Sequence, residues 1–110
     1  MLAAAYDFLR ETPPYRAWKL PPSSALRFRV ARDRTVHGWF EPKKSGLWIA
    51  VSTAGAGHTD TVLRVVAHEM IHLHQHITGA EGRVDHNEQF KRLAQRVCKL
   101  HGWDYTTFFL

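Results

Sequence analysis

Between Val65 and Gly79 the chain reads VVAHEMIHLHQHITG, which packs four histidines and one glutamate into nine consecutive positions. His68 and His72 are four residues apart. On a helix their imidazoles lie on one face, one turn apart, where both can reach a single ion. Glu69 follows the first of them directly and points about 100° further round the helix. From there it reaches a water held by the ion rather than the ion itself. Hydrolysis of an unactivated amide needs this division of labour. Zinc brings the pKa of water from about 15.7 to about 7 and polarises the carbonyl, while the glutamate takes and returns the proton. Chance supplies only about 0.03 HExxH matches in a chain of this composition, so the pair reads as a metal site rather than a polar helix face.

The other histidines read differently. His74 points away from the pair and is expected at the surface. A third ligand from the same straight helix would crowd a tetrahedral ion, so His76 is not taken as one. His37, His58 and His101 stand alone and are read as structural.

A catalytic zinc needs a third protein ligand and an open position. Spacings that place a histidine six residues after His72 fail, because Gln75 and Thr78 stand where glycine and histidine would be required. The candidates downstream are Glu81, Asp85, His86 and Glu88. A helix from about His86 to His101 discriminates among them. Setting His86 at zero, Phe90, Leu93 and Val97 fall within about 40° of it at about 100° per residue. Glu88, Lys91, Arg92, Gln95, Arg96 and Lys99 take the other side. The apolar stripe must face the preceding helix, so His86 looks inward and Glu88 outward; His86 is the expected third ligand. Asp85 is either the N-cap of that helix or a hydrogen-bond partner that fixes a ligand's tautomer.

These residues need elements to position them. LAAAYDFLRE (2–11) reads as a helix stopped by Pro13 and Pro14. ALRFRVAR, VHGWFE and LWIAVS alternate apolar and polar residues, with Leu26, Phe28 and Val30 on one face of the first. With RDRT and PKKSG as turns, they suggest a three-stranded antiparallel meander. The HExxH helix should start at an N-cap on Thr59 or Asp60 and stop at Gly79, with Leu63, Val66, Met70, Leu73 and Ile77 on one side. The aromatic GWDYTTFFL is expected to pack rather than dangle. The fold class expected is therefore α+β, a single zincin-like minimal domain spanning 1–110: an N-terminal helix, the meander, the HExxH helix and a C-terminal helix carrying the third ligand.

Composition narrows the setting. The chain has 110 residues, 45% of them hydrophobic and 23% charged, as expected of one globular domain with one modest core. No apolar run approaches the roughly 20 residues of a membrane span, and the N-terminus lacks a basic leader, so a cytoplasmic location is expected. Cys98, the lone cysteine, has no internal partner and suits a reducing compartment. The net charge of +5 favours polyanions. Arg27 and Arg29 line the polar face of the first strand, and Lys91, Arg92, Arg96 and Lys99 form a patch on the last helix. With Trp39, Phe40 and Trp48 nearby, a nucleic-acid contact is one use of these groups; a solvated face is the other.

From HGWFEPKKSGLWIAVST through LRVVAHEMIHLHQH to DHNEQFKRLAQRV, most of residues 36–98, the chain resembles the SprT-like zinc metallopeptidases. The order is the same: a glycine-bearing hairpin, an HExxH helix, then a histidine followed by x-x-x-Phe opening a helix. The resemblance implies His68, His72 and His86 as zinc ligands and Glu69 as general base, in agreement with the helix geometry. It implies proteolysis, in some members of proteins on DNA. Asn87 departs from the glycine that often follows the third histidine, and no Cys-rich zinc ribbon follows, so a nearly bare catalytic core is expected.

Protein or peptide is thus the expected substrate, paired as an added strand on an exposed sheet edge. Tyr105, His101 and His76 are the candidate oxyanion stabilisers. The competing class is a basic adaptor that uses zinc only as a structural staple. A purely structural site has no need of Glu69. A third reading is a zinc amidase acting on a non-protein amide.

Overall fold

The computed structural model describes residues 2–54 and 59–108. The architecture is α+β. Helix α1 (Leu2–Arg10) is followed by strands β1 (Leu26–Ala31), β2 (Gly38–Lys43) and β3 (Gly46–Ser52). Helices α2 (Thr59–Thr78) and α3 (Glu88–His101) complete it, with short 3₁₀ turns at Tyr15–Trp18, Ser23–Ala25 and Tyr105–Thr107. The cap expected of Thr59 or Asp60 and the place of His58 fall outside the described residues.

The sheet corrects the expected antiparallel meander. Its order is β1-β3-β2, with β2 antiparallel to β3 but β1 parallel to it. Lys43 pairs with Gly46, so β2 and β3 form a tight hairpin as read. The first connection is not a hairpin, because residues 32–37 must step over the end of β3. Two strand spacings amount to about 9.6 Å, which a four-residue turn bridges poorly and six residues bridge easily. Ser52 staples this crossover: its hydroxyl accepts from the Asp33 N–H at 3.0 Å, and its own N–H donates to the His37 carbonyl at 2.8 Å. Val36 and His37, read as strand, therefore belong to the crossover. Val30, at the end of edge strand β1, stays 57% exposed rather than sharing the core with Leu26.

Helix α2 runs through the middle, in contact with α1, α3, β2 and β3. Val66, Met70 and Leu73 are fully buried, as their spacing requires, and so are Ala67 and Ile71 on other sides of the helix. A helix apolar over most of its circumference must be enclosed. Ile77, in the last turn, lies past that enclosure and is 49% exposed, contrary to the expected stripe. Gly79 takes φ 72°, a left-handed conformation that ends the helix without a Cβ penalty. From the other side, the Tyr15 hydroxyl donates to the Ala67 carbonyl at 2.7 Å, and burial raises the phenol's pKa well above its ordinary value. Phe108 is buried and Trp103 and Tyr105 are partly so, which bears out the packing of the aromatic tail through residue 108.

Helix α2 and the sheet leave no room for a side chain at Gly38. A Cβ there would stand 2.5 Å from the Ala50 carbonyl oxygen and 2.5 Å from Val65 Cγ1. The first is backbone and does not yield. Gly38→Ala is therefore expected to destabilise by about 2 kcal/mol, as overpacking commonly does. In a thermal melt this lowers Tm by roughly 8–16 °C. An unchanged Tm would mean that α2 does not press on the sheet at this point.

Candidate metal centre

The three histidines read as ligands converge. His68 and His72 project from successive turns of α2, their ring centroids 5.2 Å apart. His86 comes from the loop before α3, and its Nε2 lies 3.1 Å from His68 Nε2. One nitrogen from each of the three rings lies within 4.8 Å of the other two, so the trio could hold a metal ion. Two nitrogens bound to one tetrahedral zinc at about 2.05 Å are separated by about 3.3 Å, close to the spacing of this pair. The tautomer fits as well. His68 Nδ1 lies 3.1 Å from the Phe108 carbonyl oxygen, which only accepts. The proton of a neutral His68 therefore sits on Nδ1, and Nε2 keeps its lone pair for a cation.

Phe90 fixes the rings from below. It is fully buried, and its ring centroid lies 5.0, 4.5 and 4.6 Å from those of His68, His72 and His86. The amphipathic stripe of α3 thus does place Phe90 and His86 toward α2, although the helix begins at Glu88 rather than His86. Its N-cap is Asn87, whose side-chain oxygen accepts the Phe90 N–H at 2.9 Å, and not Asp85. Asn sits there because its short acceptor satisfies an otherwise unpaired N–H of the first turn. Asp85 is exposed, with carboxylate oxygens 3.5 Å from His86 Nε2 and 3.9 Å from His72 Nε2. It therefore faces the ion-binding side of the rings and does not hold the Nδ1 side. Glu88 and Glu81 are exposed and are not part of the cluster.

Glu69 is buried, at 5% exposure, on the wall of the same cleft. The cleft has a volume of about 560 Å³, and its walls include residues 35–40, Val65, the three histidines, Glu69, Asp85 and Phe108. His37, read as a structural histidine, lines it too. Tyr105, His101 and His76 do not. His101 Nε2 lies 3.0 Å from the Pro13 carbonyl and 3.1 Å from Thr12 Oγ1, and His76 pairs with Glu81 at 2.9 Å. His74 is half-buried and stacks on Trp18 with centroids 4.3 Å apart, so it is a packing residue rather than a surface one. Cys98 is buried on α3, where burial pushes its thiol up to about 11. It is not in the cluster.

Comparison with known families finds the SprT-like family model matching residues 10–107. The chain belongs to the SprT-like family. No curated protein matches it. The match covers every element from the end of α1 to the last 3₁₀ turn, and so includes His68, Glu69, His72 and His86.

Burial sets the electrostatics of this SprT-like site. His68 is pushed down to about 3, mainly by desolvation and then by the positive charge that His72 and His86 can carry. His72 moves in the same direction, again with burial as the main cause. Glu69 is pushed up to about 8 by desolvation first and by the Asp85 carboxylate second. In protein stripped of metal, the unfolded chain takes a proton at His68 below 6.5 that the folded chain refuses until about 3. That stabilisation is present above 6.5 and fades as pH falls. Glu69 acts oppositely, since its folded form keeps a proton from 4.5 up to about 8, and its stabilisation fades as pH rises through that range. The two slopes oppose each other between 4.5 and 6.5. Because His72 adds a second loss on the acid side, the metal-free chain should be most stable near 6.5, at the upper end of that range, and lose Tm on either side. Glu69→Gln should remove the alkaline loss and keep the acid one, in melts with chelator from about pH 4 to 8.5. An alkaline loss that persists in the variant would assign it to another group.

Proposed function

We propose that this SprT-like chain is a zinc-dependent metallopeptidase with Glu69 as its general base. The observation that carries this reading is a buried carboxylate on the wall of the cleft into which three histidines present their ring nitrogens. When bound, zinc supplies a Lewis acid that polarises the scissile carbonyl and makes water acidic near neutral pH. His68, His72 and His86 would hold it, and three ligands leave a position open. Glu69, raised by desolvation, would be drawn back toward ionisation by a divalent cation held at the three histidines. Glu69 then accepts the proton of the attacking water and delivers it to the departing amine, so that one peptide bond breaks and an acid and an amine leave.

Sheet order supports one reading of substrate placement. Strand β2 is an edge strand whose Gly38, Trp39 and Phe40 line the cleft opposite α2. An extended peptide adding to the outer edge of β2 would lie alongside the histidines, held by main-chain hydrogen bonds that ask little of sequence. His37, on the same wall, is the group best placed to steady the developing oxyanion.

DNA-associated protein is the proposed substrate setting, and it rests on charge. Arg27 and Lys43 lie over the Trp48 ring at 5.8 and 5.4 Å, and Arg29, Lys91, Arg92, Arg96 and Lys99 are exposed. Cations interleaved with an indole suit a single strand of nucleic acid.

The deciding experiment pairs metal analysis with cleavage of casein and of a DNA-bound protein. Wild type and Glu69→Gln should each bind one zinc, and only the wild type should cleave, with kcat for the variant down by at least about 10³-fold. Equal zinc without Glu69-dependent cleavage of any protein would favour the structural adaptor, and cleavage of small amides alone would favour an amidase. In the same assay, His37→Ala should keep its zinc and lose about 10²-fold in kcat. A kcat equal to wild type would remove His37 from the mechanism.

A further inference from the structure

The connection from α2 to α3 must deliver His86 to a point that α2 has already set, and it has no regular structure of its own. Residues 79–87 are tied back to α2 at two places. The outer tie is the ion pair of His76 with Glu81, half exposed and therefore weak in water. The inner tie is buried. Gln75, on α2 one turn beyond His72, is only 1% exposed. Its amide nitrogen donates to Asn87 Oδ1 at 2.9 Å and to Gln89 Oε1 at 2.8 Å, which uses both of its N–H bonds. Asn87 Oδ1 also caps α3 through Phe90 N–H, while Asn87 Nδ2 donates to the Ala80 carbonyl at 3.3 Å. The Ala80 N–H returns to the Gln75 carbonyl at 2.8 Å, closing the ring of contacts.

We propose that Gln75 and Asn87 form a latch that positions His86 against His68 and His72, so that the metal affinity of the site is set by two amides that never touch the ion. The proposal rests on the reading of the three histidines as a metal site. Both amides act through the loop. Asn87 is bonded to α2, to α3 and to the loop at once, and His86 is its immediate neighbour in the chain. A buried amide that loses a partner is left with an unsatisfied polar group, so the network favours one arrangement. An apolar side chain of the same size would fill the space and exert no such directional hold.

The test uses Gln75→Leu, Asn87→Ala and Asn87→Asp, with Gln75→Leu also combined with His86→Ala. For each, Zn2+ affinity is read by chelator competition, the Co2+ visible spectrum reports coordination, and a metal-free melt reports folding. Gln75→Leu and Asn87→Ala should bind Zn2+ about 10- to 100-fold more weakly than wild type, as lost support of a ligand typically does. Their Co2+ spectra should move toward that of His86→Ala. Asn87→Asp keeps the oxygen that accepts from Gln75 and Phe90 but loses the bond to the Ala80 carbonyl, so it should bind Zn2+ more weakly than wild type and several-fold more tightly than Asn87→Ala. In the His86→Ala background, Gln75→Leu should weaken binding no further, because its effect passes through His86. Wild-type affinity and spectrum in folded Gln75→Leu and Asn87→Ala would overturn the latch. So would a Gln75→Leu effect that persists without His86, since that would signal general damage to α2. Should Gln75→Leu not fold, the contrast between Asn87→Ala and Asn87→Asp decides alone. Failure of the wild type to bind Zn2+ would overturn the metal site itself and the latch with it.

Discussion

A helix with apolar residues around most of its circumference can exist in water only if other elements close over it. α2 is such a helix, and the rest of the chain is arranged to close it: the sheet on one side, α1 and α3 on others, with Tyr15 bonded to its backbone at Ala67. One strip remains open toward the cleft, and His68, Glu69 and His72 occupy it. Their chemistry is a by-product of this enclosure. Burial favours the neutral form of the His68 and His72 imidazoles, which is the form that can ligate a cation, and raises the Glu69 carboxyl. The same packing that holds the fold together makes the site receptive.

Phe90 joins the two requirements. As the first large apolar residue of α3 it belongs to the core, yet its ring also touches all three imidazoles. Rings packed on a buried phenyl have few rotamers to choose from, so little side-chain freedom remains to be lost when an ion is gathered. With Phe108 accepting from His68, the elements at both ends of α3 take part in aiming ligands carried by α2.

Much of this was legible in residue types and spacing, and the misses have physical causes. HExxH spacing has a local geometric meaning, so it survives translation into structure. His86 was found from the apolar stripe of α3 even though the helix starts two residues later, because the chain enters the helix in line with that stripe. Alternation identified three strands but is blind to their order. Leu26, Phe28 and Val30 alternate in the same way beside a parallel neighbour as beside an antiparallel one. The 32–37 connection, read as the four-residue turn RDRT, is six residues long in the structure, and alternation through Val36 and His37 hid that length. His37 was missed because nothing local marks it: it reaches the cleft through that crossover, a tertiary accident of strand order. Tyr105, His101 and His76 were proposed on polarity alone, and polarity does not say where a side chain lies. Asp85 lost the capping role to Asn87, since both are good caps and only the exact helix start separates them.

The insertion of β3 between β1 and β2 also orders the assembly of the chain. The β2–β3 hairpin closes over two residues, whereas β1 finds its partner only across 21 positions, from Leu26 to Leu47. Local closure costs less entropy than distant closure. The hairpin, α2, α3 and the loop between the two helices, which carry most of the cleft wall and the three clustered histidines, thus form a unit connected largely through near neighbours in sequence. β1 and α1 arrive from farther away and seal its back. In kinetic terms, the half of the molecule that carries the histidine cluster is the half with the shorter loops to close.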